Sequence, residues 1–250
     1  MLYLIQKVIK IKFEKIRILE TGNNLGPWNM AVDEFLLYNC KEPVLRIYGW
    51  SKPCISIGYF QNIDEVDYKK CNEKNVDVVR RITGGGAVFH DMELTYSFVT
   101  KNFPQSIMES YKEISEVIIQ ALKNLGLDAK FSPLNDVTVD GKKVSGNAQT
   151  RKNSTLLQHG TVLLEVDVEK MFSLLNVPTE KISDKKISDV KNRVAGISKT
   201  FDQVSDALKS SARDVFGCDL VPFKLNQKEL ESCQKLMDEK FSSENWTFRR

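Results

Sequence analysis

The segment from Arg80 to Asp91, with the sequence RRITGGGAVFHD, has the residue types of an anion-binding loop. Its three successive glycines can adopt backbone conformations that are closed to other residues, and they leave backbone N–H groups bare. Arg80 and Arg81 would give such a concavity a positive rim suited to phosphate or carboxylate oxygens. The alternative is a tight turn that needs glycine only for its shape. The flanking arginines and the following His90-Asp91 favour the anion site.

A second cluster of basic residues follows a predicted hairpin turn at Asp140-Gly141. The stretch 141–151, GKKVSGNAQTR, together with the next residue carries four basic side chains and no acidic one. Because side chains alternate along a strand, only one of Lys142 and Lys143 can face a cleft. Gly146 would let a ligand lie against the backbone. A solvated sheet edge that carries lysines is the alternative interpretation.

Composition indicates an ordinary globular protein. Hydrophobic residues make up 42% and charged residues 28% of the 250 residues, and the net charge is +3. This charge is too small to indicate nucleic acid as a partner. Apolar runs are shorter than a membrane span, and lysines interrupt the opening stretch 1–18, so neither a membrane anchor nor a signal peptide is predicted. We therefore expect a cytoplasmic protein.

The chain contains five cysteines, and none is part of a C-x-x-C pair: Cys40, Cys54, Cys71, Cys218 and Cys233. An odd number at wide spacing predicts neither a disulfide framework nor a zinc site. Small buried hydrophobic side chains are the expected role, with one nucleophilic thiol as the alternative.

Hydrophobic periodicity predicts an α+β fold with a mixed or antiparallel central sheet flanked by helices. The predicted helices are 30–38, 106–125 (ended by Gly126), 168–175, 203–216 and 227–241, and the predicted strands include 15–20, 76–79, 94–100 and two runs within 135–166. Strands 44–48 and 54–57 are predicted to form a hairpin. The polar segment 180–193 is predicted to be a mobile surface loop. A single domain over 1–250 is expected, with an N-terminal extension at 1–14 and a helical end at 200–250.

Ordered motifs from about residue 15 onward resemble the lipoate-protein ligase family, part of the wider group of biotin and lipoate ligases and octanoyl transferases. The main matches are RRITGGGAVFHD at 80–91, LTYS at 94–97, NDV at 135–137, GKKVSGNAQTR at 141–151 and LLQHGT at 156–161. Weaker matches are NMAVDE at 29–34, RIYGW at 46–50, IGYFQ at 57–61, SDVKNRV at 188–194 and SSENW at 242–246. Several motifs in order make coincidence implausible.

The resemblance implies a biotin/lipoate ligase catalytic fold and an ATP-dependent activity. Members of the family bury the acyl chain of lipoate against the sheet and activate its carboxylate as an acyl-adenylate, with Mg²⁺. The acceptor lysine of a small lipoyl domain then attacks the mixed anhydride. The implied partners are the lipoyl domains of 2-oxoacid dehydrogenase complexes or the H protein of glycine cleavage.

The resemblance also implies roles for individual residues. Arg81 would grip phosphate, and Lys143 would contact both the carboxyl oxygen and the α-phosphate. Asp136, beside Asn135, would lie near the phosphates or Mg²⁺. The backbone wall beside lipoate and adenylate would be formed by Gly84, Gly85, Gly86, Ala87, Val88 and Phe89, and Gly146 would lie against the substrate.

The only two histidines, His90 and His159, both fall within matching motifs. Fixing a loop near the substrate by hydrogen bonding is favoured over a general-base role for each. Lys185 and Lys186 match a segment that covers the adenylate, and an ordinary solvated surface is the alternative for them.

The main alternative is an octanoyl or lipoyl transferase that moves the acyl group from a carrier protein through a cysteine thioester, without ATP. No cysteine lies between Cys71 and Cys218, so the second cluster offers no nucleophile. Some ligases of the family carry a further C-terminal domain. We expect this protein either to activate lipoate without that domain or to need a separate accessory protein for activation. A degenerate fold that only binds lipoate is disfavoured by the intact glycines and Lys143, and a biotin ligase matches the motifs less well.

Overall fold

A computed structural model describes residues 11–176 and 191–249 of the chain. The strands are β1 (Lys15–Asn24), β2 (Val44–Trp50), β3 (Cys54–Ile57), β4 (Asp77–Arg80), β5 (Val88–His90), β6 (Glu93–Thr100), β7 (Ala129–Ser132), β8 (Asp136–Val139), β9 (Lys142–Lys152), β10 (Thr155–Leu163) and β11 (Asp219–Pro222). The helices are α1 (Gly26–Asn39), α2 (Tyr68–Glu73), α3 (Ile107–Asn124), α4 (Val168–Ser173), α5 (Phe201–Phe216), α6 (Gln227–Leu236) and α7 (Glu244–Thr247).

Eight strands form the large sheet in the order β11-β1-β2-β6-β10-β9-β8-β7. Strand β1 pairs in parallel with β11 and β2, and the remaining neighbours are antiparallel. The sheet is therefore mixed. Every residue of β2 and β6 is buried, as expected for central strands that are covered on both faces.

Three further strands form a small sheet in the order β4-β3-β5. The predicted hairpin between strands 44–48 and 54–57 is wrong, because these two segments belong to different sheets. Strand β2 already pairs with β1 on one side and β6 on the other, so it has no free edge for β3. The turn at 51–53 instead takes the chain out of the large sheet, and β3 lies between β4 and β5.

Helices cover both faces of the large sheet. On one face α3 and α5 pack on strand side chains such as Tyr96 and Phe98 in the largest hydrophobic cluster. On the other face α1 is almost wholly buried between the large sheet, the small sheet and α6. A helix that is buried on all sides has no exposed polar stripe. The residues of α1 are accordingly mostly apolar, and its buried carboxylates Asp33 and Glu34 form ion pairs.

Helix boundaries follow local signals. Ser106 caps α3 by accepting a hydrogen bond from the backbone N–H of Glu109, and Gly126 follows the helix with φ +84°. Thr200 and Gln203 form a capping box at the start of α5. The predicted helix 227–241 is divided into α6 and a π-helical turn at Met237–Phe241. The predicted fold class, a mixed sheet flanked by helices, is confirmed.

Most of the polar segment 180–193 lies outside the described residues, as do Lys185 and Lys186. In the helices that are described, length and apolar composition fall short of what a bilayer crossing requires.

Candidate active site

A cavity of about 350 Å³ opens between the glycine loop, one end of the large sheet and the β8–β9 hairpin. It brings Gly85 and Lys143, 58 positions apart in the chain (143 − 85), to one cleft. The apolar part of its wall includes Met30, Tyr48, Trp50, Val88, Phe89 and Leu163. A cleft with an apolar wall and a few convergent polar groups suits a ligand that has both an acyl chain and a charged head.

The glycine loop has the conformation for which glycine is needed. Gly85 has φ +97°, in the region that favours glycine. A Cβ on Gly58 would lie 1.9 Å from the carbonyl oxygen of Gly85, so a second glycine is needed opposite the loop. Gly58 belongs to the IGYFQ match, but no sequence pattern indicated its contact with the glycine loop.

Arg81 is buried beneath the loop and holds it closed. Its Nη2 donates to the carbonyl oxygens of Gly84 and Gly86 at 2.8 and 2.7 Å, and its Nη1 donates to that of Ser56 at 2.7 Å. Burial lowers the pKa of this guanidinium to about 10, so it remains charged at neutral pH. The charge therefore lies directly behind the loop, and its donors shape the loop from inside.

Lys143 is the lysine of its pair that lines the cavity, whereas Lys142 is exposed. The two lysines point to opposite faces of β9, and a β-bulge lies next to Lys143: one step along β8, from Val137 to Thr138, faces two steps along β9. The Nζ of Lys143 lies 2.8 Å from Oδ1 of Asp136. An ammonium group has three N–H donors, so this ion pair leaves donors for an anionic ligand.

Gly146 serves Lys143 more directly than it serves a ligand. A Cβ on Gly146 would lie 2.7 Å from Cε and 2.8 Å from Nζ of Lys143. The space that the glycine leaves is therefore filled by the lysine side chain, which crosses over it. Gly146 lines the cavity as well, so the predicted substrate contact stays a prediction.

Both histidines are buried at the cavity wall and bond to hydroxyl groups. Nε2 of His90 lies 2.7 Å from Oγ of Ser56, and Nε2 of His159 lies 2.7 Å from Oγ1 of Thr83. The pKa of His159 is lowered, because burial disfavours the charged imidazolium more than neighbouring groups favour it. A neutral imidazole suits a hydrogen-bonding role.

Most of the predicted site residues meet at this cavity. Lining it are Arg81, Gly84, Gly85, Gly86, Ala87, Val88, Phe89, His90, Lys143, Gly146 and His159. Asp136 reaches it through its ion pair with Lys143. Three residues that contribute to the site were missed as candidates: Asp33, Ser56 and Glu93. Asp33 and Ser56 gave no signal beyond their place in or beside weakly matching motifs.

Four carboxylate side chains line the cavity: Asp91, Glu93, Glu165 and Asp167. In the ranges 11–176 and 191–249, no group of three or more His, Cys, Asp and Glu side chains could hold a metal ion. Mg²⁺ commonly takes one or two carboxylates and completes its coordination with water and phosphate oxygens. Asp136 alone fits that pattern only together with a phosphate ligand.

None of the five cysteines lines the cavity. Cys40, Cys54, Cys71 and Cys233 are buried in hydrophobic clusters, and Cys218 is partly exposed beside β11. Burial raises the pKa of every one of these thiols, to about 11 for Cys71 and about 12 for Cys233. A thiol with a raised pKa is a poor nucleophile at neutral pH.

Comparison with known proteins points to one family. Residues 26–212 match the model of the lipoyl protein ligase A/B catalytic domain. Octanoyltransferase LipM of Bacillus subtilis is 36% identical over 275 aligned positions, which cover 95% of this chain and 99% of the relative.

Two solved structures have a similar fold. The bipartite lipoate protein ligase of Thermoplasma acidophilum, studied with its E2 lipoyl domain, has a TM-score of 0.86 at 30% identity, with 96% of this chain and 98% of that chain covered. A lipoate-protein ligase A bound with ATP has a TM-score of 0.81 at 28% identity, with 94% and 98% covered.

Proposed function

Because this chain belongs to the lipoyl protein ligase A/B catalytic-domain family, we propose that it transfers a lipoyl or octanoyl group to the acceptor lysine of a lipoyl domain. We further propose that the acyl group comes from an acyl-adenylate and that no cysteine thioester forms. The predicted family resemblance is confirmed by the family match and by the relative of 36% identity.

The position of the cysteines carries the proposed route. A thioester intermediate needs an accessible thiolate beside the acyl carbonyl. All five thiols lie outside the cavity that contains Lys143 and the glycine loop. Raised thiol pKa values further reduce the thiolate fraction. Direct attack by the acceptor lysine on an activated acyl group needs no protein nucleophile.

Lys143 and the glycine loop have complementary tasks in such a transfer. Attack on an acyl-adenylate develops negative charge on the carbonyl oxygen and on the departing phosphate. A fixed cation near these oxygens stabilises the transition state more than the ground state. Lys143 supplies this cation, and the bare N–H groups of the loop can contribute further donors. The apolar wall would hold the acyl chain and exclude water.

ATP and Mg²⁺ belong to the activation step of this proposal. Bound Mg²⁺ would neutralise phosphate charge, and in this proposal Asp136 would hold it. Before that, the Asp136–Lys143 pair has to open or to be shared with the ligand. The name of the bipartite ligase from Thermoplasma acidophilum suggests that a second protein can take part in such a system.

A second candidate is octanoyl transfer from a carrier protein without ATP. The similarity to octanoyltransferase LipM over 95% of the chain favours it, and this relative's name supports the transferase alternative better than the ligase. The burial of the cysteines disfavours a thioester version of this reaction. Both candidates end in the same acylated lysine, and they differ in the donor.

The donor can be identified from the mass of the acceptor. The protein is incubated with a lipoyl domain and one of three donors: octanoate with ATP and Mg²⁺, synthetic octanoyl-adenylate, or an octanoyl carrier protein without ATP. We expect acylation from octanoyl-adenylate, whether or not activation from ATP needs an accessory protein. Acylation from the carrier protein alone would establish the second candidate instead.

Two sets of variants complete this experiment. Lys143→Ala should reduce transfer from octanoyl-adenylate by about a hundredfold or more, as for loss of one transition-state donor. Lys142→Ala, which removes the exposed neighbour, is the matched control. Replacement of each cysteine singly by alanine should leave transfer intact. The direct route would be refuted if one of these variants lost activity and the same cysteine were found acylated in the wild-type protein.

A further inference from the structure

Arg81 uses every N–H donor of its guanidinium within the protein. Besides the three backbone carbonyl oxygens of Ser56, Gly84 and Gly86, two hydroxyl groups accept from it. Nε donates to Oγ1 of Thr83 and Nη1 to Oγ of Ser56, each at 3.2 Å. A guanidinium has five N–H donors, so all of them are engaged. A direct grip on phosphate would require the release of at least one of these bonds.

Ser56 connects Arg81 to a buried carboxylate through one histidine. Oγ of Ser56 lies 2.7 Å from Nε2 of His90, and Nδ1 of His90 lies 2.7 Å from Oε1 of Glu93. Trp50 stacks on the imidazole with ring centroids 3.9 Å apart, which fixes its plane. Thr95 donates to the same Oε1 at 2.6 Å.

Thr83 connects Arg81 to another buried carboxylate through the other histidine. Oγ1 of Thr83 lies 2.7 Å from Nε2 of His159, and Nδ1 of His159 lies 3.0 Å from Oδ2 of Asp33. Burial raises the pKa of Asp33, but hydrogen bonds from His159 and Ser97 and the charge of Arg46 outweigh it and keep the pKa below its usual value. Asp33 is therefore ionised.

The order of donors in both chains follows from the carboxylates. The ionised carboxylate of Asp33 only accepts hydrogen bonds, and Oε1 of Glu93 already accepts one from Thr95. Nδ1 of each histidine therefore carries the proton, and Nε2 is an acceptor. Each hydroxyl then donates its proton to Nε2. The lone pairs of the hydroxyl oxygen are left facing Arg81, where they can accept from the guanidinium.

We propose that Asp33 and Glu93 are positioning residues that act on Arg81 through His159–Thr83 and His90–Ser56. The two chains fix the side chain that shapes the glycine loop, each through one hydroxyl group and one imidazole. The proposal rests on the proposed function only for the identity of the anion that the loop accepts.

The hydroxyl groups serve as ligands of Arg81 and are not nucleophiles. Ser56 is 1% exposed and Thr83 is 0% exposed, so neither oxygen can reach a substrate carbonyl without a rearrangement. A hydroxyl–imidazole–carboxylate arrangement is familiar from nucleophilic catalysis, but that chemistry needs an accessible oxygen. In this protein both hydroxyl oxygens instead accept hydrogen bonds from Arg81.

The tautomers of the two histidines test the proposal without any substrate. The chain contains just two histidines, so the imidazole signals in a ¹⁵N–¹H NMR spectrum of the full-length protein are readily assigned with Glu93→Leu and Thr83→Val. We expect Nδ1 to carry the proton and Nε2 to be the acceptor in both rings. A proton on Nε2 of either ring in the wild-type protein would overturn the proposal.

Graded variants separate positioning from general stabilisation. Glu93→Leu should free the tautomer of His90 and raise the KM for octanoyl-adenylate by about tenfold, the scale of one lost charge-assisted hydrogen bond. Glu93→Gln keeps an acceptor for Nδ1–H, so it should retain the tautomer and most of the affinity. Glu34→Gln is the matched control, because Glu34 is a buried carboxylate on α1 that pairs with Lys240 and belongs to neither chain.

Two outcomes would count against the proposal. One is an unchanged KM for octanoyl-adenylate in Glu93→Leu, and the other is equal loss in Glu93→Gln and Glu93→Leu. If Glu93→Leu does not fold, the wild-type tautomers and Glu93→Gln still decide. Failure of octanoyl-adenylate as a donor would refute the proposed function while leaving the NMR result to stand on its own.

Discussion

At the scale of single residues, the site depends on side chains that other residues hold in place. Lys143 crosses the position where Gly146 lacks a Cβ, and all five donors of Arg81 are engaged by its own loop and by Ser56. Because Gly146 has no side chain, the side chain of Lys143 can occupy that space. A residue can thus be essential for a site without contacting a ligand.

Gly146→Ala tests this dependence. The added Cβ would lie 2.7 Å from Cε of Lys143, so the lysine has to leave its present position. We expect acyl transfer from octanoyl-adenylate to fall at least about tenfold, since misplacement by about 1 Å can cost more than that. The unfolding midpoint in denaturant should change little, because the lysine side chain is flexible and partly exposed. Transfer at the wild-type rate would show that Lys143 does not act from its present position.

At the scale of secondary-structure elements, Arg80 attaches the C-terminal segment to the loop beside the glycines. Its guanidinium is fully buried and donates to carbonyl oxygens on both sides: Gly58, Tyr59 and Gln61 in the loop, and Trp246, Thr247 and Arg249 in the C-terminal segment. Trp246 in turn donates to the carbonyl oxygen of Arg80 at 2.8 Å. The two successive arginines therefore have separate tasks, Arg80 outside the glycine loop and Arg81 beneath it.

Arg80→Lys should loosen this attachment while keeping the charge. A lysine has three donors in place of five and cannot reach both sides, so several buried carbonyl groups lose their partner. Each such loss costs about 1–3 kcal/mol, and we expect the free energy of unfolding to fall by at least about 2 kcal/mol. Limited proteolysis should cut within 241–250 faster than in the wild type.

The control for this change is Arg213→Lys, at an exposed position near the end of α5. It should alter neither stability nor proteolysis, because surface substitutions of this kind usually have small effects. Equal resistance of Arg80→Lys and Arg213→Lys to protease would contradict the attachment of the C-terminal segment by Arg80.

At the scale of the whole molecule, stability should depend on pH through groups buried between the sheet and α1. The pKa of His159 is lowered in the folded protein, so below about pH 6.5 the unfolded state binds a proton that the folded state excludes. The contribution of neutral His159 to the free energy of unfolding is therefore fully present above that pH, and it is lost as the pH falls below it. The pKa of Asp33 is also lowered, so its contribution is lost only below its usual value near 3.8.

We therefore expect the free energy of unfolding to decrease from pH 7 to pH 5 and again below pH 4. Denaturant titrations across this range provide the measurement. In His159→Gln the decrease between pH 7 and pH 5 should be smaller than in the wild type, whatever the variant's stability at pH 7. The same slope in both proteins would exclude His159 as the cause.

The fold unites these scales, because its two sheets carry the two candidate segments to the same cleft. Strand β10 places His159 opposite Ala148 of β9, and β9 leads back to Lys143. The small sheet brings β5 and the glycine loop across the mouth. The match to the family model spans residues 26–212 and therefore includes all of these elements.

Much of this protein could be predicted because the responsible forces act between near neighbours in the chain. The periodicity of α3 and α5, the end of α3 at Gly126, the turn at Asp140-Gly141 and the glycine loop all depend on backbone geometry and side-chain spacing within a few residues. The motifs then identified the family and led to Gly85 and Lys143, which meet in one cavity.

Contacts between distant segments required the folded structure. The separation of β2 from β3 depends on which sheet edges other strands already occupy. Asp33 contacts His159 across 126 positions, and the five bonds of Arg81 end on Ser56 and on its own loop. The same is true of the cysteines, whose distance from the cleft decides against a thioester in our proposal. Packing creates such contacts only when sheets and helices close around a common core, and no local pattern of residues encodes them.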